Sequence, residues 1–353
     1  MSLVVLLLSA VILAATAIQS SALSIGRLTQ QKGSGFVLHQ SFNNHDCQRI
    51  SQDDYNILVH RRRVVSSLLS NALFGTVLPI WTITETSIPL SSSYANAAIR
   101  EAKTGILLPS VGEIESAIPT AWDEDDDNIL SSSDKSSFSR LDSSPDTLFY
   151  SEPRFVEHVD EQAVETMTSY ISDRLLQPGD AVLDLCSSWT SHIRQQSKEG
   201  KSSLSLKRVA GLGMNAKELE SNPVLTDWTL LDLNADANVK LPYEDERFDV
   251  VLLQLSIDYL IHPLEVLKEA SRVLRKNGRI AILFSNRLFL TKAVGLWTGS
   301  DDIEHAYTVG NYLHYCGGDF TNIKAEDLST RKQKGKERVI VGDPLYVVTA
   351  TKG

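Results

Sequence analysis

Carboxylates, hydroxyls, an amide and a phenol gather at the ends of short apolar runs in this chain. Asp184 lies inside the run 181–186, which ends at Cys186 and leads into Ser187 and Ser188. Gly213 lies near the end of the run 208–214, with Asn215 directly behind it. Asp232 and Leu233 close the run 228–233, with Asn234 next, and Ser256, Asp258 and Tyr259 follow 248–253. Such groups hold polar ligands by hydrogen bonds, and a carboxylate or an imidazole can take a proton. His192, His262, His305 and His314 are the imidazoles within reach, although a lone histidine is more often a surface or packed residue. Trp189, Trp297, Tyr312 and Tyr315 read either as the lining of an apolar pocket or as core. Cys47, Cys186 and Cys316 have no metal-ligand spacing, so free thiols and no metal site are expected. No Gly-x-x-x-x-Gly-Lys cradle for phosphate is present, which leaves nucleotide binding of that kind without a motif.

The elements that must position these residues alternate in type. Residues 155–176 show helical apolar spacing and end at Gln177-Pro178-Gly179-Asp180, a stop that feeds the strand 181–186. Strands follow at 208–214, 228–233 and 248–253, with a helix starting near Ala216 between the first two of these. Residues 264–274 are amphipathic and stop at Lys276-Asn277-Gly278, where Gly278 is expected to take a left-handed cap before a fifth strand at 279–284. A helix at 303–315, the turn Gly317-Gly318, a basic exposed loop at 331–338 and a last strand at 345–350 complete the reading. Short β-branched runs alternating with helices predict a parallel sheet covered on both faces.

Composition narrows the class. With 42% apolar and 22% charged residues the chain can bury a full core, and a net charge of −10 argues against nucleic acid, whose binding relies on Lys and Arg neutralising phosphates. The front of the chain reads as a series of addresses. Residues 1–22 have the apolar run and small-residue end of a cleaved signal peptide, a retained signal anchor being the other reading. Residues 23–60 open with an acid-free, Ser- and Gln-containing stretch, 23–45, of transit-peptide character. Arg61-Arg62-Arg63, the apolar stretch behind them and Tyr94-Ala95-Asn96-Ala97 read as a thylakoid Tat signal over 61–97, or as a basic cluster ahead of an amphipathic helix. Signal followed by transit resembles bipartite import into the complex plastid of an alga, with the thylakoid lumen as an end point. Residues 98–145, with an acidic cluster at 123–127 and a serine run at 131–137, read as a solvated linker. No stable membrane anchor is expected after processing.

One stretch carries a family likeness. Leu241-Pro242-Tyr243-Glu244-Asp245-Glu246-Arg247-Phe248-Asp249-Val250-Val251, with Glu269-Ala270-Ser271-Arg272-Val273-Leu274-Arg275-Lys276-Asn277-Gly278-Arg279, resembles the hallmark of class I S-adenosylmethionine-dependent methyltransferases, type 11-like. The likeness covers about 149–352. Asp184-Leu185-Cys186-Ser187-Ser188-Trp189-Thr190-Ser191-His192, Gly211-Leu212-Gly213-Met214-Asn215 and Ser285-Asn286-Arg287 are similar to a plastid branch found in plants and algae. The resemblance implies a Rossmann-like α/β fold at 146–353, with a seven-stranded, mostly parallel sheet and helices on both faces. It implies S-adenosylmethionine as cofactor, held at the carboxyl ends of the strands. The cofactor-binding positions it implies are Asp184, Cys186, Ser187, Ser188, Gly213, Asn215, Asp232, Leu233, Asn234 and Ser256, with Asp258 and Tyr259 as catalytic residues on the acceptor side.

Two departures from the family pattern stand out. Cys186, Ser188 and Thr190 occupy places usually held by glycine, and Gly213 stands where a ribose-binding carboxylate is usual, leaving Asn215 or Glu218 as substitutes. Two functions therefore stay open at this point. One is methyl transfer to a small plastid metabolite such as a quinone, a phenol or a carboxylate. The other is a catalytically inactive methyltransferase fold serving as a binding or assembly protein.

Overall fold

The computed structural model describes residues 99–101, 107–122, 128–130, 136–194, 204–334 and 337–353. The address segments expected at 1–22, 23–60 and 61–97, and the acidic cluster at 123–127, lie outside the described residues.

Seven strands form the main sheet: β1 (Ala181–Leu185), β2 (Arg208–Gly213), β3 (Asp227–Leu230), β4 (Phe248–Gln254), β5 (Leu274–Phe284), β6 (Phe320–Asp327) and β7 (Tyr346–Lys352). Their order is β3-β2-β1-β4-β5-β7-β6, and β7 alone runs antiparallel to its neighbours. This is the Rossmann-like class I methyltransferase arrangement that the resemblance implies.

The strand pleat sorts the core into two layers. Leu183 and Leu185 of β1 join a cluster with Val266 and Leu267 of α3 (Pro263–Val273) and Val309 and Tyr312 of α4 (Asp302–Tyr315). Val182 faces the other way, in a cluster with Met167 of α1 (Glu161–Ser169) and Ile171 of the π-helical turn Tyr170–Leu175 that continues it. Helix starts follow local chemistry. Pro263 opens α3, Asp301 and Glu304 cap α4 reciprocally, and the Asn215 side-chain oxygen accepts the Lys217 and Glu218 N–H groups at the start of α2 (Ala216–Ser221).

Several sequence expectations are corrected. The helix expected from 155 begins at Glu161, where the Asp160 carboxylate caps it. Phe155 and Val156 lie before it, 50% and 52% exposed, so their spacing does not mark a buried helix face. Asn277, at φ 62°, takes the left-handed position expected of Gly278, and β5 starts at Leu274 without an intervening loop. Gly278 is needed for a different reason, because a Cβ there would stand 2.7 Å from the Arg275 carbonyl oxygen. The basic segment expected as a loop at 331–338 forms the strands Arg331–Lys334 and Glu337–Ile340 of a small second sheet, which also contains Ile99–Glu101 and Leu107–Leu108. Strand β6 has no counterpart in the sequence reading. It is an edge strand that buries mainly Phe320 and Ala325, so its apolar signal is thin.

The segment 98–145 is more than a tether. Ile114 is fully buried and shares the α4 core cluster, Ile118 fills the space a side chain at Gly310 would need, and Trp122 stacks on His314 at 4.5 Å. Gly295 and Leu296 donate backbone N–H groups to the Ser139 and Ser137 carbonyls. No helix among the described residues is long and apolar enough to cross a membrane.

Candidate active site

Strand β1 sits between β2 and β4, where the strand order reverses direction, and connections leave the sheet there on opposite faces. The carboxyl ends of β1, β2, β3 and β4 open into a cleft. From the expected set it is lined by Asp184, Cys186, Ser187, Ser188, Gly213, Asp232, Leu233, Asn234, Ser256 and Tyr259. A wall not foreseen in the sequence completes it, made of Asp146, Tyr150, Arg154, Val156, Glu157 and His158 with Phe289.

The β1 loop keeps a glycine-like path without glycine. Cys186 sits at φ 55°, a left-handed conformation that costs a non-glycine residue roughly 1 kcal/mol. Its thiol is pushed up to about 12, first by burial and then by the Asp184 charge, so it stays protonated. The Ser187 N–H donates to the Leu212 carbonyl (2.8 Å), which draws the loop across the end of β2. A Cβ at Gly213 would fall on the Ser187 carbonyl oxygen, well inside van der Waals contact. No carboxylate side chain can therefore occupy position 213 while the loop runs this way.

Glu218 supplies the missing carboxylate from α2. It is 8% exposed and lines the cleft, with Oε2 accepting the Ser188 hydroxyl (2.6 Å) and Oε1 the Arg154 backbone N–H (2.6 Å). Asn215 is removed from the site, because its amide donates to the Tyr150 and Ser151 carbonyls while its oxygen caps α2.

At the base of the cleft a polar chain runs from β1 outward. The Asp184 carboxylate accepts the Ser191 hydroxyl (2.6 Å) and the Gln254 amide (2.9 Å), and burial raises its pKa. The Gln254 oxygen lies 2.9 Å from His192 Nδ1, and His192 Nε2 lies 3.1 Å from Glu157. Burial pulls the His192 pKa down, but hydrogen bonding and charge from Glu157 outweigh it and raise the pKa overall. An imidazolium can donate at both nitrogens and so fits this chain best. Gln254 and Glu157 were missed in the sequence, where an amide at a strand end and one acid among many carry no distinguishing signal.

Beyond β3, Asp232 turns its carboxylate to the Asn234 N–H (2.9 Å). Asn234 is fully engaged in holding the loops together, donating to Asp146 and the Tyr259 carbonyl and accepting from the Ile261 N–H. The Ser256 hydroxyl returns to the Gln254 carbonyl (2.6 Å).

Of the two expected catalytic residues the cleft receives one. The Tyr259 hydroxyl accepts the Phe289 N–H (2.9 Å), and burial holds its pKa well above the usual range. Asp258 does not line the cleft. It is 3% exposed behind it, and burial pushes its carboxyl up to about 7. His305 stacks on Trp297 at 4.1 Å and His314 on Trp122, both away from the cleft, while Trp297 and Tyr312 are core residues. Trp189 does line the cleft, its indole N–H reaching the Val156 carbonyl (3.4 Å). His158 packs edge-on against Phe289 at 5.1 Å, and loss of hydration, followed by the Arg154 charge, lowers its pKa. Among the described residues no group of three His, Cys, Asp or Glu side chains could hold a metal ion.

A family model described as "Methyltransferase domain" matches residues 198–282, the stretch that carries β2, β3, β4, the hallmark and most of β5. A 27-O-demethylrifamycin SV methyltransferase of Amycolatopsis mediterranei is 31% identical over 135 residues, 35% of this chain and 47% of that protein. The chain thus spans about half the length of the curated relative it matches. Solved structures similar to this chain include an S-adenosylmethionine-dependent methyltransferase from Mesorhizobium loti, 15% identical, covering 50% of this chain and 92% of that one at a TM-score of 0.33. A SAM-dependent methyltransferase from Aquifex aeolicus is 17% identical, covering 50% and 85% at a TM-score of 0.31. The sheet order and the matched domain are those of class I S-adenosylmethionine-dependent methyltransferases, which this chain resembles. S-adenosylmethionine is the cofactor of that class.

The residues present fit this cofactor. Asp232 and the Leu233 backbone, behind the end of β3, would receive the adenine, and the Glu218 carboxylate would receive the ribose hydroxyls. The lining carboxylates Asp184, Glu218 and Asp232 place negative charge around a cleft that has to receive a sulfonium.

Proposed function

We propose that the chain is an active methyltransferase acting on a small molecule, with His158 as the base. The observation that carries the reading is the β1 loop with Glu218. Cys186 holds the left-handed path that glycine usually provides, and Glu218 brings a carboxylate into the cleft from α2 where position 213 can carry none. The two departures that favoured an inactive binding or assembly protein thus have compensations in the same cleft.

When bound, the cofactor supplies an electrophilic methyl group for a single in-line displacement. The chain's contribution is placement and proton transfer. Tyr259 and Phe289 wall the acceptor side, fixed to each other by the Phe289 N–H bond to the Tyr259 hydroxyl. Tyr259 stays protonated because burial raises its pKa, so it offers no phenolate to take a proton, whereas His158, with its pKa lowered, is neutral near pH 7 and has a lone pair to receive a hydroxyl proton. Rate should rise with pH through a value below the ordinary 6.5 of histidine and stay level above it. His158→Gln should remove that acid limb and lower kcat about a hundredfold. Release of S-adenosylhomocysteine, measured with panels of phenols, quinols and carboxylates, tests the activity. No turnover on any of them, in a protein that binds the cofactor, would favour the inactive reading.

The plastid setting, with the thylakoid lumen as the end point, is likewise our proposal. It rests on the residues of 1–97 and is tested by mass spectrometry of the native amino terminus. A start well before Ala98 excludes the lumen route.

A further inference from the structure

Arg154 lines the cleft and, among the described residues, its guanidinium has no acidic partner. Arg140 and Lys292 are both committed to Asp146, at 2.9 and 3.3 Å. The Arg154 guanidinium gives one N–H to the Phe149 carbonyl (2.9 Å) and, among the described residues, forms no ion pair. It lies 4.2 Å from the centre of the Phe149 ring, with Phe289 at 5.8 Å and Tyr150 at 5.9 Å. His158 meets the same Phe289 ring at 5.1 Å, and Tyr259 meets it at 6.1 Å. An arginine with donors to spare, a neutral imidazole and several aromatic rings therefore converge on Phe289.

Guanidinium binds carboxylate in a flat, two-point manner, and aromatic walls select a flat apolar body. The position of Arg154 is set from the cofactor side, since its backbone N–H is held by Glu218. Its side chain, however, turns to Phe149 and to Phe289, the latter lining the acceptor side of the cleft with Tyr259.

We propose that Arg154 is the specificity-determining residue for the acceptor, and that the acceptor is a hydroxylated aromatic carboxylate held by its carboxylate at Arg154. This rests on the methyltransferase reading above. Its ring lies against Phe289 and Tyr150, and its hydroxyl faces His158.

The test uses the full chain saturated with S-adenosylhomocysteine and two probes, 4-hydroxybenzoate and 4-hydroxybenzamide, which differ in charge and hardly in shape. Calorimetry should show the benzoate binding about tenfold more tightly, as expected of a charge-assisted pair. Arg154→Gln should abolish that preference, Arg154→Lys should keep part of it, and both should leave affinity for S-adenosylhomocysteine within about twofold. Equal binding of the two probes, or binding of neither, overturns the proposal. So does a loss of S-adenosylhomocysteine affinity in Arg154→Gln, which would put the cofactor's own carboxylate on Arg154. Failure of the wild-type chain to bind S-adenosylhomocysteine at all is a different result, and overturns the methyltransferase reading on which the proposal stands.

Discussion

Cys186 shows how one residue reconciles an unusual sequence with a familiar loop. Its left-handed backbone is what a glycine adopts freely, and the thiol is tolerated because it is buried and uncharged. Cys186→Gly should be close to neutral, while Cys186→Val, with a branched β-carbon at positive φ, should cost about 2 kcal/mol more in urea denaturation. Asp258 gives a second expectation at this scale. Its folded carboxyl titrates at about 7 against about 3.9 for an unfolded aspartate. Below pH 4 both states are protonated and there is no penalty. As pH rises towards 7 the unfolded state ionises first, so stability falls through that window and the loss is complete above it. Asp258→Asn should flatten this slope and raise the melting temperature at pH 8 more than at pH 4. Asp184, Ser188 and Asp232 were legible as residues of the cleft because each lies within or just behind an apolar run. Arg154 and His158 were not, because nothing in their own neighbourhood marks them.

That failure belongs to the elements. The apolar spacing of Phe155, Val156 and Val159 resembles a helix face, so the stretch was read as part of α1. Asp160 is instead the cap, and the residues before it run as the irregular wall of the cleft. An acid that caps a helix and an acid in its first turn look alike in sequence. The strands fared better, since β1, β2 and β4 bury most of their residues, as does the first half of β7, and announce themselves as continuous apolar runs. β6 buries one side weakly and escaped notice. The 98–145 segment was misjudged for a similar reason, as its few apolar anchors are diluted by Ser and Asp. Ile114→Ala should cost about 2–5 kcal/mol, the range of a fully buried isoleucine, and a chain beginning at 146 should lose at least as much. Chemical denaturation of both variants measures this, and a loss near zero would return the segment to the role of a tether.

For the whole molecule the order of the strands decides the class, and the cleft at the switch point decides what the class can do here. The net charge of −10 suits a cationic cofactor and disfavours nucleic acid. Everything proposed about acceptor, base and specificity depends on whether this altered cleft holds its cofactor. The most direct measurement is a calorimetric titration of the full chain with S-adenosylhomocysteine, run beside Glu218→Gln. The account predicts micromolar binding by the wild type and a weakening of about tenfold or more in the variant, where a ribose-facing carboxylate becomes an amide. No binding by a folded wild-type chain would contradict the account, and equal affinity in the two would remove Glu218 from the ribose.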